Sequence, residues 1–271
     1  MTDKWLTVIT AWTTYLEAAG TSPNTIRTRR EHMQRFARTA RAASPGAVTG
    51  DALVRWFAKQ QWASETRRSH RNTHRAFWSW AIDAGLCELN PAEALPAVKA
   101  VEGIPRPIPE HLYREALREA PERVRLILRL AAEVGLRRAE IAQVHERDLV
   151  RDLQGVSLIV HGKGNRSRLI PLPPRLGVEV EAACSARGYL LPGEYRGHLS
   201  PRYVGKLAAR ALPRPWTLHT LRHRFATRAY SLDRDVFTVQ QLLGHASPAT
   251  TRRYVALDTS RLRATVEKIA A

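Results

Sequence analysis

Cysteine is nearly absent: Cys87 and Cys184 are the only two in 271 residues. They lie far apart and form no CxxC spacing, which excludes a disulfide framework and a cysteine-based zinc site. Each reads as a small hydrophobe. No apolar run approaches the ~18–20 residues needed to cross a bilayer. The first twenty residues scatter Asp3, Lys4 and Glu17 among apolar positions, with neither an apolar leader core nor a small-residue cleavage site. These absences predict a soluble chain without membrane contact, working in the cytoplasm. Acid is also scarce, at 25 Asp and Glu against 43 Lys and Arg.

The resulting charge of +18, with a pI near 11, suits a polyanionic partner. Arginine dominates the basic set, which favours forked contacts to phosphate over diffuse lysine charge. Codon bias in a GC-rich genome explains arginine over lysine but not the excess of bases over acids. A nucleic acid is the expected partner. A 44% hydrophobic content is that of a folded chain, and the length accommodates two ordinary domains or one large one.

Pro105, Pro107 and Pro109 alternate and forbid a helix, so residues 97–109 read as a linker. It separates a domain at 1–96 from one at 110–271. Residues 1–107 carry fifteen Lys and Arg against nine Asp and Glu, and residues 108–271 carry twenty-eight against sixteen. Both halves are basic, which suits a clamp on a duplex.

The first half reads as all helical. Trp5, Ile9, Trp12 and Leu16 recur at helical spacing up to Gly20, and Ser22-Pro23 opens a second helix over 25–41. A short helix follows at about 51–61, then one over 65–84. Arginines line two of these helices, and Arg27, Arg30, Arg67, Arg71 and Arg75 are the expected DNA-facing residues, with the tryptophans in the core. The second half is mixed: helices at 110–120 and 122–134, strands at 156–160 and 167–172 joined by a glycine-rich hairpin over 161–166, then helices again, including one at 259–270. Strands and crossover helices do not alternate, so a doubly wound sheet is disfavoured. The fold expected is mainly α with a small β-hairpin or sheet.

Four segments carry candidate chemistry: Gly135-Leu136-Arg137-Arg138-Ala139-Glu140, Gly162-Lys163-Gly164, His219-Thr220-Leu221-Arg222-His223, and Leu243-Gly244-His245 followed by Tyr254. A tyrosine oxygen can form a covalent phosphodiester, provided that developing charge on the phosphate is offset nearby. Arg137 and Arg222 offer guanidinium forks for that task and His245 a further donor. Lys163, at a hairpin tip, suits protonation of a leaving 5′-oxygen, and His219 suits acceptance of the tyrosine proton. Metal-based readings are weaker. His219 and His223 have an i, i+4 ligand spacing, but no carboxylate of an HExxH motif and no third ligand accompany them. Gly162-Lys163-Gly164 is not GxxxxGK[ST] and precedes a strand.

In this order and spacing the segments resemble the tyrosine recombinase family, which includes the phage integrases. The resemblance implies an N-terminal helical core-binding domain of the SAM-like type, also suggested by Ser22-Pro23-Asn24-Thr25 and Asn90-Pro91-Ala92, and an α+β catalytic domain. It implies the catalytic set Arg137, Lys163, His219, Arg222, His245 and the nucleophile Tyr254, with Glu140 and His223 in support. It further implies a site-specific recombinase that needs no cofactor or metal, acts through a 3′-phosphotyrosyl link and a Holliday junction, and is a monomer in solution but a tetramer on inverted half-sites. No separate arm-type DNA-binding domain precedes Trp5, so simple core sites are expected. Integration of a phage or mobile element is the favoured role, with a Xer-type dimer resolvase or a non-catalytic DNA-binding regulator as alternatives.

Overall fold

A computed structural model of the chain describes residues 2–99, 106–162, 167–185, 188–244, 267 and 269–270. It divides into two compact units, residues 1–103 and 104–271. Among the described residues no helix is long and apolar enough to cross a membrane.

The first unit is built from α1 (Asp3–Ala18), α2 (Pro23–Thr39), α3 (Gly50–Ala58) and α4 (Ser64–Asp83). Trp5, Ile9, Trp12 and Leu16 form one buried stripe along α1, the face that a 3.6-residue period brings together. Gly20, at φ +69°, ends that helix in the left-handed conformation that costs glycine least. Pro23 then starts α2, where its missing N–H is no loss. Trp5, Trp12, Phe36, Phe77 and Trp78 are essentially fully buried and meet mostly edge to face. Each such ring removes roughly 150–250 Å² from water, or about 4–6 kcal/mol of gross burial at ~25 cal/mol per Å². The rings therefore dominate the cohesion of this small unit.

Histidines join that core. His32 stacks on His70 at 3.6 Å between ring centres, and His70 on Trp62 at 3.8 Å. His74, with no exposed surface, lies on Trp78, and neither of its ring nitrogens has a hydrogen-bond partner. Arg67 and Arg71 differ from the solvent-facing role expected for them. Arg67 donates to the carbonyls of Phe57 (2.9 Å) and Gln60 (2.6 Å), closing the end of α3, and Arg71 donates to that of Leu95.

The second unit contains α5 (Glu110–Glu119), α6 (Glu122–Glu133), α7 (Arg138–Gln143), β1 (Leu149–Asp152), β2 (Gly155–His161), β3 (Ser167–Pro171), α8 (Pro174–Ser185), β4 (Pro192–Tyr195), α9 (Pro201–Ala211), α10 (Leu218–Asp233) and α11 (Val236–Leu243). Helix α6 is its axis: Leu126, Ile127, Leu128, Leu130, Ala131 and Ala132 are buried, with α10 and α9 packed on it and α8 laid on β2. The hairpin of β2 and β3 belongs to a three-stranded antiparallel sheet of order β1-β2-β3, with Leu149 opposite Leu158 and Leu158 opposite Ile170. The edge strand β1 and the short α7 are additions to the sequence expectation. Lys163, His245 and Tyr254 lie outside the described residues, as does most of the segment expected as the last helix.

Candidate active site

Glu140 is the centre of the site. Its side chain is 5% exposed and three guanidinium groups surround it. Arg137 Nη1 donates to Oε1 at 2.8 Å, and the Arg137 backbone N–H donates to Oε2 at 2.7 Å, the reciprocal cap of α7. Arg168 grips the same carboxylate with both ends of its fork, Nη1 to Oε1 at 3.1 Å and Nη2 to Oε2 at 3.0 Å. Arg222 Nη1 stands 3.8 Å from Oε2. Burial pushes the Glu140 carboxyl up, but the hydrogen bonds from Arg168 and the Arg137 backbone, with the charges of both arginines, more than offset this. Its pKa falls below the ordinary 4.5.

The same arginines hold the end of α11. The carbonyl of Leu242 accepts from Arg168 Nε at 3.0 Å, that of Leu243 from Arg222 Nη2 at 2.5 Å, and that of Gly244 from Arg137 Nη2 at 3.2 Å. Carbonyls at a helix C-terminus lack intrahelical partners and carry the negative end of the dipole, so three cations suit them. Gly244 turns the chain at φ +60°, and a Cβ there would meet the Arg168 guanidinium at 2.7 Å.

Arg222 reaches this cluster from the first turns of α10 and is 3% exposed. Its Nη1 also donates to the carbonyl of Gly135. That glycine, at φ +73°, packs against Phe225 so closely that a Cβ would penetrate the ring. The Gly-Leu-Arg sequence thus has two tasks: the glycine turns the chain out of α6 and aims a carbonyl at Arg222, and two residues later Arg137 begins α7. Arg137 is the more accessible cation, with a side chain 40% exposed.

His219 and His223 occupy one face of α10 with ring centres 4.2 Å apart. Desolvation, then the charges of Arg222 and Arg137, lower the His219 pKa from 6.5, which keeps the ring neutral and able to accept a proton. Where β2 ends and β3 begins, His161 lies 3.0 Å from Asp148 and 3.2 Å from Ser167, linking both strands to the preceding turn. Among the described residues, no group of three or more His, Cys, Asp or Glu is placed to hold a metal ion.

Of the residues expected here, the fold gathers Arg137, Glu140 and Arg222 in direct contact, with His219 and His223 on the same helix as Arg222. The expected DNA-facing arginines belong to the other unit. There, Arg27 is exposed beside Asn24, Arg30 reaches Thr13 at 3.2 Å, and Arg75 is half-buried. Arg168 is the residue that the sequence reading missed. It shares the inward face of β3 with Ile170, and an arginine at an inward strand position requires a buried anion.

Residues 110–261 match the model of the phage integrase family. The chain is 30% identical to "Tyrosine recombinase XerA" of Thermococcus kodakarensis over 96% of its own length and 94% of that protein's. It is 32% identical to the Pyrococcus horikoshii protein of the same name, over 96% and 93%. A lambda integrase (residues 75–356) dimer bound to a COC′ core site shares the fold, with TM-score 0.74 and 19% identity over 92% of this chain and 93% of that one. The chain belongs to the phage integrase family of tyrosine recombinases, whose members are DNA strand-transferring enzymes.

Proposed function

We propose that this protein is a site-specific DNA recombinase that cuts and rejoins one strand at a time through Tyr254. The observation that carries this reading is the clustering of Arg137, Arg168 and Arg222 around the single buried carboxylate of Glu140. That cluster has an excess of positive charge, and attack on a phosphodiester puts a second negative charge on the phosphate. The Tyr254 oxygen attacks phosphorus and the bond to the 5′-oxygen breaks, leaving a 3′-phosphotyrosyl link. His219 accepts the phenolic proton and Lys163 gives one to the departing 5′-oxygen. Arg137, Arg222 and His245 donate to the non-bridging oxygens, while Glu140 and His223 support them. No cofactor is required. A 5′-hydroxyl from the partner duplex reverses the step, and two rounds pass through a Holliday junction.

In this reading residues 1–96 are a core-type DNA-binding domain that presents Arg27, Arg30 and Arg75, with Arg67 and Arg71 bracing the helices beneath. Residues 97–109 are the linker, and 110–271 the catalytic domain ending in a helix at 259–270. A monomer in solution assembles as a tetramer on inverted half-sites in the cytoplasm of a bacterial host and integrates or excises a phage or mobile element. A Xer-type resolvase of chromosome or plasmid dimers is the second reading, favoured by the nearly full-length alignment with the XerA relatives.

The test is strand exchange by purified protein on plasmids carrying candidate sites, with EDTA present. Joined products support recombination. Exchange between two unlike sites marks an integrase, and resolution of two identical direct repeats marks a resolvase. Loss of exchange in EDTA, restored by Mg²⁺ or Zn²⁺, would overturn the arginine-based chemistry.

A further inference from the structure

Arg168 reads as one more basic residue of a strand, yet all three of its guanidinium nitrogens are directed into the protein. Nε donates to the Leu242 carbonyl, Nη1 to Glu140 Oε1 and Nη2 to Glu140 Oε2, at 3.0, 3.1 and 3.0 Å. Its side chain is 11% exposed. All three nitrogens of this guanidinium therefore already donate to acceptors within the protein. It is well placed to fix what lies beside it, because both oxygens of Glu140 also serve Arg137, one through Nη1 and the other through the backbone N–H. Arg168 follows the hairpin and reaches α7 and the end of α11, so one side chain ties together three segments that carry catalytic candidates.

We propose that Arg168 is a positioning residue for strand cleavage: by holding both oxygens of Glu140 and the carbonyl of Leu242, it keeps Arg137 and the end of α11 in place to receive the scissile phosphate. The inference rests on the recombinase reading given above. Lysine cannot substitute, because a single ammonium keeps the charge but does not span two carboxylate oxygens and a carbonyl in one plane. A role through bulk charge alone would be met by lysine.

The experiment uses the full chain and a nicked duplex of ~30 base pairs, long enough for two half-sites, recovered from a randomised pool by its covalent capture on the wild-type protein. Single-turnover adduct formation and equilibrium affinity are measured for wild type, R168M, R168K, E140Q and E140Q/R168M. R168M and R168K should each slow the adduct ~10- to 100-fold, as loss of a supporting partner does, with affinity nearly unchanged. E140Q/R168M should be no slower than E140Q, because both substitutions break one link. In the absence of DNA, the Glu140 carboxyl followed by ¹³C NMR should titrate at higher pH in R168M than in wild type. R168K retains charge and most of the side chain should R168M fold poorly. Wild-type rates in R168K, multiplicative losses in the double variant, an unmoved Glu140 titration, or affinity falling in step with rate would overturn the proposal. Absence of any adduct from wild type would instead overturn the recombinase reading beneath it, and this inference with it.

Discussion

Lowering the pH should destabilise the first unit through its histidines. Burial, then the charges of His32 and Arg35, bring the His70 pKa down to about 3. Burial, then His70 and His32, hold His74 well below 6.5, and burial also lowers His32 beside Glu31 and Arg35. In the unfolded chain these rings titrate near 6.5. A folded value below the unfolded one means that the stabilising contribution is present above pH 6.5 and is lost as pH falls, because the unfolded state then binds more protons. From about pH 7 to about pH 5, a ring kept neutral in the fold costs ~2 kcal/mol. His70 alone therefore costs ~2 kcal/mol against the ~5–15 kcal/mol that holds a domain folded, and His74 acts in the same direction. Six of the seven tryptophans lie in residues 1–103, so urea unfolding followed by tryptophan fluorescence reports this unit almost alone. Its midpoint should fall between the two pH values, and His74→Leu, which removes one titrating ring, should reduce the loss. Superimposable curves at both pH values would show that these histidines do not stay neutral in the folded unit.

Two further outcomes follow from the second unit. Gly135→Ala should cost about 2–4 kcal/mol, since the substitution combines a left-handed backbone with overpacking against Phe225, and it should displace the carbonyl that Arg222 holds. Urea unfolding followed by circular dichroism, together with the cleavage rate, checks both effects. If His219 accepts the tyrosine proton, its lowered pKa keeps the base neutral below pH 6.5. The cleavage rate should therefore persist through pH 6.5 and fall only at lower pH, in a single-turnover profile on prebound DNA; a fall centred at or above 6.5 would count against that role.

The long helices were legible because each carries a complete apolar stripe and an end signal: Trp5 to Leu16 before Gly20, and Leu126 to Ala132 before Gly135. The strands at 155–161 and 167–171 showed through their branched residues and the glycines between them. Strand β1 did not, because Leu149 to Asp152 lie at an exposed edge with no alternation to read. The short α7 spans too few residues to show a period, and the Arg137–Glu140 cap that opens it is an interaction between charged residues that periodicity does not reveal. Arginine stood out by number, and the helical face opposite Phe77, Trp78 and Trp80, with few acids to balance it, assigned Arg67 and Arg71 to the surface. Their carbonyl partners Phe57, Gln60 and Leu95 come together only in the fold. Arg168 was hidden in the same way, although its position two residues before Ile170 on one face of a strand was a usable sign. His70, His74 and Trp78 recur at four-residue spacing on the inner face of α4, a pattern masked by the arginines between them.

A covalent DNA link at Tyr254 is the step on which the proposed chemistry turns. The direct measurement incubates wild-type protein and Tyr254→Phe with the captured nicked duplex, resolves the mixtures under denaturing conditions, and maps the DNA-bearing peptide by mass spectrometry. An adduct is expected on the peptide containing Tyr254 in the wild type, and none in Tyr254→Phe at undiminished affinity. An adduct that persists in Tyr254→Phe, or that maps to another residue such as Tyr230, would contradict it.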